Sequence, residues 1–223
     1  MSRAVRVARR LALHEARSLA GIALWLARRR AGVGPGDTAA PYAGAQATTL
    51  LALGFVCVVE TVGLALIIPW PPLHLTMLVL DLYTVVLVFG LHASSVARPH
   101  VVGPDGSLRV RYAALLDLRV PAGQIASARV VRRFPDGGLL TVDDGTLTVA
   151  VGGQTTLTVQ LREPVTFLRP LGTSAVVRTL HLHADAPGEF VAALDRARQT
   201  GTATEPTSDA DPEAAGGRTP AEG

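Results

Sequence analysis

Apolar residues run almost without interruption through two neighbouring stretches of the chain. The first covers residues 47–68 with Glu60 as its only charge, and the second covers residues 73–93 with Asp81 as its only charge. About 20 apolar residues in an α-helix reach across the roughly 30 Å hydrocarbon core of a bilayer. The intervening residues 69–72, Pro-Trp-Pro-Pro, allow only a tight turn. The pattern predicts a two-helix transmembrane hairpin.

Beyond residue 97 the pattern changes to short segments in which apolar and polar residues alternate between Gly-containing turns. Such alternation, rich in Val and Thr, is typical of half-buried strands. The predicted strands cover residues 108–112, 115–120, 125–133, 139–142, 146–151, 155–161 and 176–183. A helix should follow, with Asp185 as its cap and Phe190, Val191 and Leu194 facing inward. The predicted fold class is an α+β membrane protein, with a seven-stranded barrel or sandwich and a C-terminal helix over residues 97–198.

Residues 1–30 show helical periodicity, with arginines on one side and apolar residues on the other. A basic amphipathic helix suits an anionic membrane surface, where each arginine contributes about 1 kcal/mol. A helix packed on the chain's own domain and an oligomer contact are the alternatives. Residues 31–46, rich in Gly, Pro and Ala, are predicted to be a linker. The proposed basic face consists of Arg3, Arg6, Arg10, Arg17, Arg28, Arg29 and Arg30.

Charge is distributed unevenly along the 223 residues, whose net charge is only +3. Residues 1–46 carry eight arginines against two acids, for +6, and residues 199–223 carry five acids against one arginine, for −4. The acidic segment 199–223 cannot form a core and is predicted to be disordered. Arg28–Arg30 and Arg98 flank the hairpin, whereas its turn is uncharged, so both termini should be cytoplasmic at a bacterial plasma membrane.

The start of the β region carries a family resemblance. It follows paired apolar helices and runs through a strand, a tight turn, a second strand, a proline and a third strand. The matching residues are His100-Val101-Val102-Gly103-Pro104-Asp105-Gly106, Leu108-Arg109-Val110-Arg111, residues 115–120, Pro121 and Ile125-Ala126-Ser127-Ala128. Residues 100–198 thereby resemble the pleckstrin-homology-like (PH-like) domains of bacterial, actinobacterial-type membrane proteins. The resemblance implies a membrane-anchored interaction module with no assigned reaction.

Glu60 and Asp81 are the candidate functional pair of the hairpin. Each lies nine residues from the proline turn, so in an antiparallel hairpin both lie about 13 Å below its outer end and can meet across the interface. No arginine shares that depth, so at least one carboxyl should be protonated there. The pair has two interpretations, a proton or cation site and an interhelical hydrogen bond. A small-residue stripe on the first helix permits close approach and comprises Gly54, Cys57, Thr61 and Ala65.

Other candidate residues do not form a recognisable catalytic or metal pattern. His181 and His183 share a strand face near Asp185, but no third ligand has a suitable spacing, so two solvent-facing histidines are expected. Arg109, Arg111 and Arg119 are likewise expected on a solvated strand face. We predict no enzyme activity, no cofactor and no metal, and no nucleic-acid binding, because the basic segment lacks interleaved aromatic residues.

Three functional hypotheses follow. The first is a membrane-anchored interaction or scaffold module whose cytosolic β domain binds a protein partner or supports a homo-oligomer. The second is an oligomeric membrane protein that handles protons or ions through Glu60 and Asp81. The third is recognition of anionic lipid by the N-terminal helix.

Overall fold

A computed structural model describes residues 16, 20–67, 70–169 and 173–202, with side chains up to residue 200. Arg3, Arg6, Arg10 and Arg17, and most of the predicted acidic tail, lie outside the described residues. Within them the chain is an α+β protein with two long apolar helices, two β-sheets and a final helix.

Both predicted apolar helices are present. Helix α1 covers Gly44–Ile67 and helix α2 covers Pro71–Ala97, which begins with two prolines in its first turn. Pro is well placed there because the first N–H groups of a helix have no partner within it. The most apolar windows of α1 and α2 have mean hydropathies of 2.5 and 1.9, and each helix is long enough to cross a membrane.

Nine strands form two sheets in the described residues, and they do not close into a barrel. The first sheet has the antiparallel order β1-β2-β3-β4, with β1 Thr38–Ala40, β2 His100–Val102, β3 Leu108–Tyr112 and β4 Leu116–Val120. The second has the order β5-β8-β9-β7-β6, with β5 Ile125–Arg133, β6 Leu140–Asp143, β7 Thr146–Val149, β8 Thr155–Leu168 and β9 Ser174–Leu182. Strands β7 and β9 are parallel, and the other pairs in this sheet are antiparallel.

All seven predicted strands are present, as β3 to β9, and β1 and β2 are additional. Strand β1 lies in the segment predicted to be a linker and pairs with β2 across the whole hairpin, with Ala39 opposite Val101. The hairpin is therefore inserted between two adjacent strands of one sheet. Both of its ends enter the β domain at the same place.

Helix α3 covers Pro187–Thr202 and packs on the β domain through Phe190 and Leu194, which are buried as predicted, and through the half-buried Val191. It extends through the first four residues of the segment that was expected to be disordered. The predicted cap is wrong. Helix α3 begins at Pro187, directly after Ala186, whose carbonyl accepts the Phe190 N–H. The Asp185 carboxylate instead accepts an N–H at the start of α1. The core between the two sheets and α3 includes Tyr42, Val110, Tyr112, Leu157 and Leu180.

The N-terminal helical segment, residues 20–26, packs on the end of α2. Gly21 is buried against Ser94, and the Trp25 ring meets the His92 ring edge-on at 6.3 Å. The segment ends in a Schellman turn, in which Arg28 has a φ of +53° and the Arg29 N–H donates to the carbonyl of Leu24. Arg28–Arg30 therefore follow the helix instead of extending its basic face to residue 30.

Candidate functional site

The hairpin interface brings Asp81 to Thr61 rather than to Glu60. The Thr61 hydroxyl lies 3.1 Å from Asp81 Oδ2 and 2.8 Å from the carbonyl oxygen of Cys57. Asp81 is half-buried, whereas Glu60 is exposed on the outside of the hairpin. The expected depth is thus right to within one residue, but neighbouring helix positions differ by about 100° in direction. The predicted contact between the two carboxyls is absent from the described residues.

The base of the hairpin is held by the β domain through a set of polar side chains, which we call the hairpin joint. At the start of α1, the Gly44 N–H lies 3.1 Å from both carboxylate oxygens of Asp185. A carboxylate at a helix N-terminus satisfies an otherwise free N–H and complements the helix dipole. The joint comprises Tyr42, Gln46, Ser95, His100, Arg111, Tyr112, His183 and Asp185.

A buried hydrogen-bonded chain crosses the joint from one span to the other. The Gln46 side-chain amide of α1 donates to the Ser95 hydroxyl of α2 at 3.0 Å, and the Tyr112 hydroxyl donates to Gln46 Oε1 at 3.4 Å. The Tyr42 hydroxyl accepts the Ala113 N–H at 2.7 Å. Burial raises the pKa of Tyr42, so it remains a neutral hydrogen-bonding group. These contacts tie both helices to β3 without burying a charge.

His100 lies at the centre of the joint with its side chain fully buried. Its Nδ1 accepts the Arg111 backbone N–H at 3.1 Å, so Nε2 carries the proton and donates to the His183 carbonyl at 3.0 Å. The ring stacks on Tyr42 with a centroid distance of 4.7 Å. Burial lowers the pKa of His100 to about 4, which keeps the ring neutral at physiological pH.

The expectation of two solvent-facing histidines is wrong for His183, which is buried at the end of β9. Its Nε2 lies 3.6 Å from the Asp185 carboxylate. Burial lowers the pKa of His183, and this effect outweighs the opposing influence of Asp185. His181 is half-buried on the same strand. Among the described residues, no group of three or more His, Cys, Asp or Glu side chains is placed to hold a metal ion.

Arg111 also departs from the expected solvated face, since only 3% of its side chain is exposed. Its guanidinium donates to the carbonyls of Ala31 and Gly32 at 2.6 and 3.0 Å. The Ala31 N–H in turn donates to the carbonyl of Ala97 at the end of α2. The chain before β1 thus covers Arg111, and Arg111 fastens that chain to the base of α2. Burial lowers the pKa of Arg111.

Arg109 and Arg119 remain on the outer face of β3 and β4, directly opposite each other. Arg109 donates to Asp117 at 2.6 Å. Burial raises the pKa of Asp117, but the hydrogen bond from Arg109 and the adjacent arginine charges outweigh it, so the pKa lies below its usual range. Arg119 is exposed beside this pair, so the three side chains of Arg109, Asp117 and Arg119 together carry a net charge of +1.

An open groove of about 550 Å³ runs beside this arginine face, between β4 and the far end of β8. Its walls combine Arg109, Asp117 and Arg119 with the apolar side chains of Val165, Phe167 and Leu168. Strand β8 pairs with β5 only as far as Leu161. Beyond that point β8 continues to Leu168, and residues 165–168 line the groove with a backbone edge that β5 does not cover.

No protein family, curated protein or solved structure matches the chain. The joint was missed by sequence reasoning, although Gln46 and Ser95 are polar residues at the same end of the two spans. Their placement at this end is the sequence signal that indicates a shared contact at the base of the hairpin.

Proposed function

We propose that the protein is a two-span membrane protein whose β domain is a rigidly mounted interaction module. The spans anchor it, and the domain lies on the cytoplasmic side of a bacterial plasma membrane with both termini. The PH-like resemblance of residues 100–198 belongs to the same proposal. The hairpin joint supports this proposal, because seven of its eight residues are buried and the joint connects both spans to the domain.

The groove beside the arginine face is the partner site that we propose. A protein segment in extended conformation can add its backbone to the edge of residues 165–168 that β5 leaves uncovered, and its side chains then meet the groove walls. Leu168 is 69% exposed and offers an apolar contact, while Arg119 offers a charge for an acidic side chain. The preferred partner is therefore an extended segment that carries an acidic residue beside an apolar one.

Site-specific photocrosslinking in intact cells tests the groove. A benzophenone side chain at position 168 should give a discrete adduct, and the same group at the exposed Glu189 of α3 should not. Arg119→Glu should abolish the adduct at position 168 without changing the amount of protein. Two differently tagged copies of the chain distinguish a homo-oligomer from another protein. No adduct at position 168, or equal adducts at both positions, would contradict the proposal.

A second candidate function is proton or ion handling by an oligomer, and the exposure of Glu60 favours it. A carboxyl on the apolar outer surface of a span is costly unless a partner covers it, so Glu60 is a candidate contact between hairpins. The test is flux through liposomes that contain the full chain. Glu60→Gln combined with Asp81→Asn should abolish flux and preserve assembly. Absence of flux from the unaltered protein would remove this candidate.

A further inference from the structure

One end of the five-stranded sheet lies against the first turn of α1. In the turn between β7 and β8, a Cβ on Gly152 would lie 2.6 Å from the carbonyl oxygen of Ala45. Gly152 also has a φ of +59°, which strains other residues, so glycine fits here on both counts. This turn therefore marks the end of the sheet that adjoins the base of the hairpin.

The connection between β5 and β6 reaches the same end of the sheet. Arg133 pairs with Thr155 immediately after the glycine turn, and the Leu139 carbonyl accepts the Ala150 N–H at 3.0 Å immediately before it. Both ends of this connection are thus fixed beside the turn that touches α1. In addition, the charge of Arg132 acts on His183, whose partner Asp185 binds the first N–H of α1.

The composition of this region is unusual for a solvated turn. We call residues 129–139 the rim segment. Phe134 is 72% exposed and Leu139 is 49% exposed. Arg129, Arg132 and Arg133 are exposed beside them, and Asp136 is the only acid, which gives the rim segment a net charge of +2.

Exposed aromatic and aliphatic side chains beside arginines are the combination by which peripheral segments bind an anionic lipid surface. We propose that the rim segment docks on the membrane that holds α1 and α2. Phe134 and Leu139 enter the boundary between headgroups and acyl chains, and the arginines contact lipid phosphates. This inference rests on the proposed membrane anchoring and concerns a surface separate from the partner groove.

The rim segment and the exposed tip of β8 lie at opposite ends of that strand. Leu168 lies 13 residues along β8 from Thr155, which corresponds to about 40 Å of strand. The other wall of the partner groove is nearer the hairpin, because Asp117 pairs with Arg111 of the joint. The rim segment thus acts as a second support beside the hairpin, and position 168 serves as a reference point away from the rim segment.

The experiment uses the full chain with Cys57→Ser, labelled at single cysteines with an environment-sensitive fluorophore in nanodiscs whose lipids carry nitroxide quenchers on their acyl chains. Gly138→Cys reports on the rim segment and retains its apolar and charged side chains. Leu168→Cys is the matched exposed control, and Phe55→Cys, at a position 69% exposed on α1, reports on the span. Discs contain phosphatidylcholine either alone or mixed with phosphatidylglycerol.

The label at position 138 should be quenched in discs with phosphatidylglycerol, and the label at position 168 should not. Arg132→Gln and Arg133→Gln should each weaken the rim contact about fivefold. Equal quenching at positions 138 and 168, with quenching at position 55, would overturn rim docking but leave the anchoring in place. If quenching at position 138 is the same with and without phosphatidylglycerol, and is unchanged by both substitutions, the assignment to anionic lipid would be overturned. No quenching at position 55 would overturn the anchoring and rim docking together.

Discussion

In the hairpin, Phe55 and Leu66 are 69% and 84% exposed, whereas in the β domain Phe190 and Leu194 are 2% and 0% exposed. Polar groups are buried where the two regions meet, since His100 and Arg111 are covered and hydrogen-bonded at the joint. Glu60, in contrast, lies on the outer surface of α1. A continuous apolar surface of the kind that α1 and α2 present suits an apolar solvent. Under the proposed membrane anchoring the two regions are matched to two solvents, and the joint lies where the solvents meet.

The largest expected difference is between truncations of a phenylalanine in the β domain and of one in the hairpin. Phe190→Ala leaves a cavity in the core of the domain and should lower the free energy of unfolding by about 3–5 kcal/mol. Phe55→Ala removes a side chain on the outer surface of α1 and should change the free energy of unfolding by less than about 0.5 kcal/mol. Thermal unfolding of the full chain in nanodiscs measures both. Equal losses would show that Phe55 is not on an outer surface.

The joint should make stability depend on pH. The unfolded chain binds a proton on His100 near pH 6.5, whereas the folded chain binds it only near pH 4. The contribution of the neutral His100 to the free energy of unfolding is therefore fully present above about pH 6.5. About 3 kcal/mol of it is lost as the pH falls towards 4. His183, whose pKa is also lowered, acts in the same direction.

Melting temperatures between pH 7.5 and pH 4.5 measure this dependence, with His100→Gln as the comparison. The Gln variant should be less stable at pH 7.5 and should lose less on acidification than the unaltered chain. Asp105 and Asp117, whose pKa values lie below their usual range, titrate outside this window. Parallel profiles for the two proteins would contradict the burial of a neutral His100.

A smaller effect is expected where the domain caps the hairpin. Asp185→Ala removes the acceptor of the Gly44 N–H and should cost about 1 kcal/mol. Asp185→Asn retains an acceptor oxygen and should cost less. Asp195→Ala, at an exposed acid in the middle of α3, is the matched control and should have little effect. Chemical denaturation in mild detergent compares the three variants. An equal loss in Asp185→Ala and Asp195→Ala would refute the cap.

The smallest effect is expected inside the hairpin. Thr61→Val removes the hydroxyl that joins α1 to Asp81 and should cost about 0.6 kcal/mol. Thr76→Val is the control, because the Thr76 hydroxyl binds the carbonyl of Pro72 within its own helix. The difference between the two variants in helix association measures the contact. If Thr76→Val is the more damaging change, Thr61 and Asp81 do not hold the interface.

The parts of the fold that sequence could predict are those in which local pattern and environment agree. Each of the two spans carries a continuous apolar run and each of the seven strands an alternating pattern, so their positions were recoverable to within a few residues, apart from the extended β8. Strands β1 and β2 have three residues each; β1 pairs only with β2 across the hairpin, and β2 lies between β1 and β3. Such pairing leaves no local pattern.

The candidate site was harder to predict from the sequence, because it too depends on contacts between distant segments. Alternation along β3 places Arg111 on the outer face. It is buried there because residues 31 and 32 lie over it and accept its hydrogen bonds. The depth of Glu60 and Asp81 followed from counting residues. Their relative direction depended on how the helices pack, and that packing selected Thr61.

The most direct test of the central claim is the topology of the chain in intact cells. Single cysteines replace Trp70 at the hairpin turn and Gly123 before β5, where an added side chain meets no atom within 4 Å, in a Cys57→Ser background. A membrane-impermeant thiol reagent should label position 70 in intact cells and position 123 only after lysis. Labelling of position 123 in intact cells, or of neither position until lysis, would contradict a two-span anchor with a cytosolic β domain.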